Sequence, residues 1–222
     1  MAVEELRLTT WNAATSDPHY KHTVRPDQFF QEYAVRNDFV VLQEANKATK
    51  KAARSVGFKV SHGPFGTAIA YDGQRFTPVS VVTSASVRGD GWHRNGTAIA
   101  QKFRCTEKGK IVKVVNVHAG HNGTPGHVHW RSALGAKKDI LKLKRRSGNA
   151  DVTLVGGDFN EMTELVGKGV VGEGVRHEST HSMGPNDKAG CGGHSMLSAF
   201  SWRQRGFGSD HYAVKIKAKV KW

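Results

Sequence analysis

Residues 152–160, which read VTLVGGDFN, constrain the fold of this chain more than any other stretch. The apolar, β-branched run predicts a buried strand, and the two glycines allow a sharp turn and a close backbone approach at its end. Because Asp158 and Asn160 are two residues apart, an extended segment directs both to one side, while Phe159 turns towards the core. Such a pair can serve a metal or a substrate oxygen, although Asp and Asn are also ordinary turn residues.

Other predicted strands also place polar residues at their ends. Predicted strands cover residues 6–12, 38–42 and 111–118, and their terminal or following polar residues are Asn12, Glu44 and His118. The second of these runs is nearly continuous in apolar residues, which predicts burial on both faces. Since α/β folds gather functional groups at strand ends, we expect these side chains to share one site with Asp158.

The remaining pattern predicts helices mixed with antiparallel strands. Helices are predicted over residues 26–34, 45–56 and 128–146, and strands over 67–71, 79–83, 97–103 and 212–221. The last strand alternates apolar residues with lysines, so we expect it at a sheet edge protected by charge. Residues 163–193 are rich in Gly, His and polar residues without periodicity, which indicates a long surface segment. No repeat or linker interrupts the chain, which favours a single domain over residues 1–222.

The charge balance indicates a polyanionic partner. Lys and Arg number 33 against 19 Asp and Glu, a net charge of +14. Such an excess favours nucleic acid, with an anionic membrane as second choice. The N-terminal residues lack the pattern of a signal peptide, and no apolar run is long enough for a membrane span, so we expect a soluble protein of undetermined compartment.

Oxygen-rich side chains at the predicted strand ends suit a hard cation such as Mg²⁺ or Mn²⁺. The candidate residues are Asn12, Glu44, His118, Asp158, Asn160, Asp210 and His211. A metal, a base for water and groups that stabilise a leaving oxygen are what phosphodiester hydrolysis requires. The loop at residues 88–96 contains Arg94 beside Trp and His, and either grips phosphate or is a solvated hairpin loop.

Two groups of histidines are compatible with zinc instead. Their members are His177, His181, Cys191 and His194 in one group, and His118, His121, His127 and His129 in the other. The spacing of each group suits a tetrahedral site, but such spacing also arises by chance in His-rich loops. We favour the Mg²⁺ or Mn²⁺ site at the predicted strand ends over both zinc sites. Two cysteines, Cys105 and Cys191, are too few for a disulfide framework.

Five motifs resemble the signatures of the endonuclease/exonuclease/phosphatase superfamily, and they occur in that family's order. They are Thr10-Trp11-Asn12, Gln43-Glu44, Asn116-Val117-His118, Gly157-Asp158-Phe159-Asn160 and Ser209-Asp210-His211. The resemblance spans residues 6–214. It implies an α/β protein with a four-layer αββα sandwich of two packed mixed or antiparallel sheets flanked by helices. It also implies divalent-metal-dependent phosphoesterase activity.

The same resemblance implies roles for individual residues. Glu44 would bind the metal, with Asn12 and Asp210 nearby. Asp158 would orient or deprotonate the attacking water. Asn160 would contact the phosphate, and His211 would stabilise the transition state or serve as a base.

Similarity to the deoxyribonuclease I branch is less complete. It implies that His118 is the acid for the leaving group and that Arg94 grips phosphate. That branch pairs its histidine with a Glu where this chain reads Pro64-Phe65-Gly66. The superfamily's Asp that orients the last histidine is also absent from the run 194–200, which leaves His194, Ser195 or the more distant Asp187 for that role.

The sequence therefore predicts a divalent-metal-dependent nuclease that cuts DNA phosphodiester bonds, as an endonuclease of low sequence specificity. Two alternatives stay open. One is a phosphatase or phosphodiesterase of phosphoinositides or phospholipids with the same fold. The other is a basic nucleic-acid-binding protein with a dead site. The residues do not distinguish DNA from RNA.

Overall fold

The computed structural model describes residues 3–14, 24–89, 95–120, 130–160, 187–192, 196–203, 207, 209 and 211–222. The strands are β1 Val3–Asn12, β2 Phe39–Gln43, β3 Phe58–His62, β4 Ala68–Asp72, β5 Phe76–Pro78, β6 Thr83–Val87, β7 Gly96–Cys105, β8 Ile111–His118, β9 Val152–Asp158, β10 Asp187–Gly192, β11 Met196–Arg203 and β12 Val214–Lys221. The helices are α1 Pro26–Phe29, which continues as a π-helical turn Phe30–Ala34, α2 Lys47–Ser55 and α3 Trp130–Arg146.

The described strands form two six-stranded sheets. The first has the order β11-β12-β1-β2-β4-β3. The second has the order β10-β9-β8-β7-β5, with β6 also paired to β7. Each sheet contains one parallel pair among these strands, β1 with β2 and β8 with β9, and its other pairs are antiparallel. Both sheets are therefore mixed.

Three apolar clusters divide the molecule into four layers. One cluster lies between the sheets and joins Leu8 of β1 and Val41 of β2 to Val114 of β8 and Leu154 of β9. A second packs α1 and α2 on the outer face of the first sheet, where Trp11 stacks on Phe29 with ring centroids 4.1 Å apart. A third packs α3 on the outer face of the second sheet. The predicted αββα sandwich is confirmed.

The strand predicted at residues 79–83 is wrong. Only residue 83 of that run belongs to a strand, because β6 begins there. The sequence also failed to predict two short strands, β3 and β5. Residues 79–82 form an irregular connection in which the Ser80 hydroxyl accepts a hydrogen bond from the Lys102 N–H at 3.0 Å, and Val81 is 82% exposed. The hydrogen bond between the Ser80 side chain and β7 replaces a backbone hydrogen bond that a regular strand would form there.

The C-terminal strand is not at an edge. β12 pairs with β1 on one side and with β11 on the other. Alternation of apolar residues reports which face is buried, but it does not report how many neighbours a strand has. The predicted surface segment 163–193 contains β10, which pairs with β9. The rest of that segment lies outside the described residues.

Among the described residues, none of the helices combines the length and the apolar character that a bilayer crossing requires.

Candidate active site

Six of the predicted residues lie together at one end of the sandwich, where β1, β2, β8 and β9 end. They are Asn12, Glu44, His118, Asp158, Asn160 and His211. Strand register explains much of this arrangement. The parallel pairing of β8 and β9 places His118 beside Asp158, and the pairing of β1 and β2 places Asn12 beside Gln43, one residue before Glu44.

Asn12 connects the two sheets at the site. Its side chain is fully buried, and its Nδ2 donates to Glu44 Oε1 at 3.1 Å and to Asp158 Oδ2 at 2.9 Å. Its Oδ1 accepts a hydrogen bond from the Ala14 N–H at 2.9 Å. A single amide therefore holds a carboxylate from each sheet at a fixed separation, and its own orientation is fixed by the backbone.

An imidazole lies near each carboxylate. His118 Nε2 lies 3.7 Å from Glu44 Oε1, and both side chains are about one-fifth exposed, at 23% and 22%. His211 Nε2 lies 3.9 Å from Asp158 Oδ2, and both of these side chains are buried. The site thus contains a partly exposed acid–imidazole pair beside a buried one.

Ser209 positions the buried histidine. Its hydroxyl donates to the Asn12 carbonyl oxygen at 2.8 Å and accepts a hydrogen bond from the His211 N–H at 3.1 Å. The backbone of His211 is therefore tied to the end of β1, although the two residues are far apart in the chain.

Residues just past three of the strand ends adopt left-handed backbone conformations. The φ angles are +48° at Ala14, +50° at Glu44 and +48° at Asn160. Such conformations are uncommon outside glycine and occur often at functional sites. At Asn160, the turn allows the N–H to bond Asp158 Oδ1 at 2.8 Å and the side-chain Nδ2 to bond the Ala119 carbonyl oxygen at 2.5 Å.

Gly156 and Gly157 have the close-approach role that the sequence indicated. A Cβ on Gly156 would lie 2.8 Å from Val41 Cγ2 of the opposite sheet. A Cβ on Gly157 would lie 2.1 Å from the Val117 carbonyl oxygen. Only glycine fits at either position, so the strand that carries Asp158 lies closely against both of its neighbours.

A buried amide network supports the site from below. Asn116 Nδ2 on β8 donates to the carbonyl oxygens of Leu42 and Ala68 at 2.8 and 3.0 Å. Asn116 Oδ1 accepts from Gln43 Nε2 at 2.5 Å, and Gln43 also bonds the Thr10 hydroxyl. Sequence reasoning did not assign a role to this network. Its available signal was an amide residue in each of two mainly apolar strands.

The carboxyl group of Asp158 is held in its ionised form. Burial on its own would raise its pKa. The charges of His211 and His118, together with hydrogen bonds from the Asn160 N–H and the Asn12 amide, outweigh burial and lower the pKa of Asp158 below its ordinary value. A group with a lowered pKa is a weak base, so this carboxylate is better suited to orienting a neighbour than to removing a proton.

The lowered pKa of Asp158 predicts a pH dependence of stability. Its folded-state pKa lies below its unfolded value, so its stabilising contribution is complete above the unfolded pKa of about 3.9 and is lost as the pH falls through the folded pKa. In urea unfolding between pH 7 and pH 3, the free energy of unfolding should decrease more steeply below about pH 4 for the wild type than for Asp158→Asn. Parallel curves for the two proteins would contradict the assignment.

The residues present are compatible with a divalent cation at Glu44. Its carboxylate reaches solvent, and it is held in place by the Asn12 Nδ2, while the Asn12 Oδ1 is bonded to the Ala14 N–H. Among the described residues, no three His, Cys, Asp or Glu side chains converge closely enough to hold a metal ion. Mg²⁺ requires only one or two carboxylates, with water and substrate oxygens completing its shell, so this donor set fits Mg²⁺ better than zinc.

Several predictions fall outside the described residues. Asp210, Arg94, His121, His127, His129, His177, His181, His194 and Ser195 are among them. The backbone of Asp187 is described, and its Cα is the register partner of Asp158. That position keeps Asp187 a candidate for orienting His211, while Asp158 itself already faces the His211 ring.

Comparisons with known proteins agree with this fold. No family model matches the chain, and no curated protein matches it in sequence. An endonuclease/exonuclease/phosphatase family protein from Bacteroides thetaiotaomicron superposes with a TM-score of 0.69 at 14% identity, over 100% of both chains. D. rerio TDP2, solved with a single-strand DNA product, gives 0.66 at 13% identity over 99% of this chain and 100% of the other.

A mannosyl-6-phosphatase from Bacteroides thetaiotaomicron gives a TM-score of 0.66 at 16% identity, over 96% of this chain and 99% of the other. These similarities confirm at the level of the fold the resemblance drawn from the five motifs. The chain has the fold of the endonuclease/exonuclease/phosphatase superfamily. The similar structures reported above include one solved with a single-strand DNA product and one phosphatase.

Proposed function

We propose that this protein is a divalent-metal-dependent nuclease that hydrolyses DNA phosphodiester bonds, as an endonuclease of low sequence specificity. The observation that carries the proposal is the bridge from Asn12 to Glu44 and Asp158, with an imidazole facing each carboxylate. Hydrolysis of a phosphodiester needs groups that act on the attacking water and on the leaving oxygen. The two acid–imidazole pairs, joined through Asn12, provide one for each.

The proposed roles follow from exposure and charge. His211 accepts a proton from the attacking water as the water oxygen bonds to phosphorus, and Asp158 orients the ring and stabilises its positive charge. His118 donates a proton to the ester oxygen as its bond to phosphorus breaks. Glu44 would hold Mg²⁺ or Mn²⁺, with Asn12 and Asp210 nearby, and the bound metal would neutralise charge on the phosphoryl oxygens. Asn160 and Arg94 would contact the phosphate.

DNA is favoured as substrate by charge and by structural likeness. The net charge of +14 suits a polyanion, whose binding should weaken steeply with salt. D. rerio TDP2, a protein of the same fold, was solved with a single-strand DNA product. The likeness to a mannosyl-6-phosphatase supports the second candidate, a phosphatase or phosphodiesterase of small or lipid phosphates such as phosphoinositides. The third candidate is a basic nucleic-acid-binding protein without activity.

A side-by-side substrate test separates these candidates. We expect Mg²⁺- or Mn²⁺-dependent cleavage of end-labelled single- and double-stranded DNA at internal positions, and little release of phosphate from sugar phosphates or phosphoinositides. A Glu44→Gln variant should lose the metal-dependent cleavage. Phosphate release without DNA cleavage would establish the phosphatase, and salt-sensitive DNA binding without any hydrolysis would establish the inactive binder.

A further inference from the structure

The loop beside Glu44 presents an aromatic side chain to solvent. Phe65 is 82% exposed and has a φ angle of +51°, which is unfavourable for a bulky residue. The next residue, Gly66, packs against the Glu44 backbone, because a Cβ there would lie 3.1 Å from Glu44 Cα. The Gly66 carbonyl oxygen also accepts a hydrogen bond from the Ala45 N–H at 2.9 Å. Phe65 is therefore held beside the metal-binding candidate.

Hydrogen bonds within residues 63–67 hold the conformation of this loop. Gly63 N–H bonds the Thr67 carbonyl oxygen at 2.9 Å, and the buried Thr67 returns two bonds to the Pro64 carbonyl oxygen, from its N–H at 3.1 Å and its hydroxyl at 2.7 Å. Exposed aromatic rings on preorganised loops are suited to stacking, because little conformational entropy is lost on binding. Strained backbone conformations cluster at functional sites, which makes this exposed ring a candidate contact for a substrate.

A cluster of basic side chains lies further along the same side of the first sheet. Arg54 and Lys50 are one turn apart on α2, and Arg54 Nη2 lies 2.8 Å from His62 Nε2 at the end of β3. None of the three forms an ion pair with an acid among the described residues. Partial burial, followed by the other cations of the cluster, lowers the pKa of both Lys50 and His62. The lowered pKa leaves His62 neutral at neutral pH, so Lys50 and Arg54 carry the positive charge there, and no acid among the described residues pairs with them.

Strand register gives the distance from this cluster to the site. His62 pairs with Ala68, and Ala68 pairs with Leu42, two residues before Glu44. The path from His62 to Glu44 therefore crosses two strand spacings within the sheet and then runs two residues along the chain. These distances place the two Cα atoms roughly 12 Å apart. Phosphates along one strand of a stacked duplex are about 3.4 Å apart, and those of a more extended strand are further apart, so the separation corresponds to a few nucleotides. Phe65 lies in the loop between the two positions.

We propose that Phe65 and the cluster of Lys50, Arg54 and His62 form a strand-binding track, in which Phe65 stacks on a nucleobase beside the scissile bond and the cations Lys50 and Arg54 hold a backbone phosphate a few nucleotides away. This inference rests on the proposed nuclease function and specifies which side of the site the bound strand follows. Aromatic stacking tolerates any base, which agrees with low sequence specificity.

The two parts of the track should have different signatures in binding to a labelled single-stranded oligonucleotide. Phe65→Ala should weaken affinity about tenfold and leave the salt dependence unchanged, since stacking releases no counterions, and Phe65→Trp should restore affinity. Lys50→Ala/Arg54→Ala should weaken affinity and reduce the slope of log K against log salt by about 0.7 for a lost phosphate contact.

Two control variants remove an exposed apolar side chain and a pair of exposed cations at positions away from the proposed track. Val81→Ala removes a side chain that is also 82% exposed. Arg145→Ala/Arg146→Ala removes two exposed cations from the last turn of α3, which precedes the start of β9 and is thus at the opposite end from Asp158. Both controls should retain wild-type affinity to within about twofold. Equal losses in the track and control variants would overturn the proposal, because binding would then depend only on net charge.

A small substrate keeps this test independent of the proposed function. Bis-p-nitrophenyl phosphate is too short to reach Lys50 or Arg54, so the double variant should hydrolyse it with unchanged kcat/KM while losing activity on the oligonucleotide. Loss on both substrates would contradict the track and indicate a structural role. If the wild type hydrolyses neither substrate, the nuclease proposal fails, and the salt slopes still decide whether the track binds a strand.

Discussion

Replacement of Asp158 by asparagine is expected to lower kcat for phosphodiester hydrolysis by about 10³-fold, within the range for loss of an acid–base partner. The change removes the negative charge that faces His211 at 3.9 Å. It also places an amide against the Asn12 Nδ2 and Asn160 N–H donors, which now bond to two carboxylate oxygens. Single-turnover kinetics on a labelled DNA duplex would measure the effect.

A matched control separates this effect from a general loss of charge. Asp151 lies just before β9, and its Oδ2 accepts a hydrogen bond from the Ile111 N–H at 2.8 Å, far along the same strand from the site. Asp151→Asn should leave kcat within about twofold of wild type, as expected for a position remote from the chemistry. An Asp158→Asn protein that keeps more than a tenth of the wild-type kcat would show that this carboxylate is not central.

Replacement of Asn116 by alanine is expected to lower the free energy of unfolding by about 3–5 kcal/mol, the range for leaving several buried polar groups without partners. The fully buried side chain bonds the Leu42 and Ala68 carbonyl oxygens and the Gln43 amide. All three partners belong to the opposite sheet and would each lose a hydrogen bond, and Gln43 would keep only its bond to the Thr10 hydroxyl. Urea unfolding followed by circular dichroism measures the change.

The exposed Asn149 provides the control for Asn116. Asn149→Ala should change the free energy of unfolding by no more than about 0.5 kcal/mol, as is usual for surface positions. A double-mutant cycle with Gln43→Ala should show coupling, since the two amides bond each other at 2.5 Å. If Asn116→Ala lowered the free energy of unfolding by less than about 1 kcal/mol, the loss would be too small for unsatisfied buried groups. Such a result would mean that the network does not hold the sheets together.

Much of the site geometry follows from strand patterning. Buried runs ending in polar residues predicted that Asn12, Glu44, His118 and Asp158 would meet, and the register of the two parallel strand pairs places them at one edge. The αββα architecture was implied by the resemblance of the five motifs to a known superfamily. Hydrophobic periodicity alone would not have predicted it, since periodicity does not specify how two sheets stack. Sequence reasoning also identified Gly156 and Gly157 as positions of close approach, which the structure confirms.

Other features were beyond sequence reasoning for physical reasons. A left-handed conformation at Glu44 or Phe65 is imposed by tertiary contacts and has no local signal comparable to a glycine. The pairing of Asn116 with Gln43 joins residues that are 73 positions apart, so no local pattern reports it. The neighbours of β12 depend on where β11 docks, and for that reason its predicted edge position was wrong.

The central claim is most directly tested by converting supercoiled plasmid to nicked and linear forms with Mg²⁺, Mn²⁺ or EDTA. Wild type should be compared with Glu44→Gln and with His211→Ala. The proposed function predicts nicking with either metal, no nicking in EDTA, and loss in both variants. Absence of cleavage with any metal, together with salt-sensitive plasmid binding, would contradict the nuclease and leave a basic nucleic-acid-binding protein of the same fold.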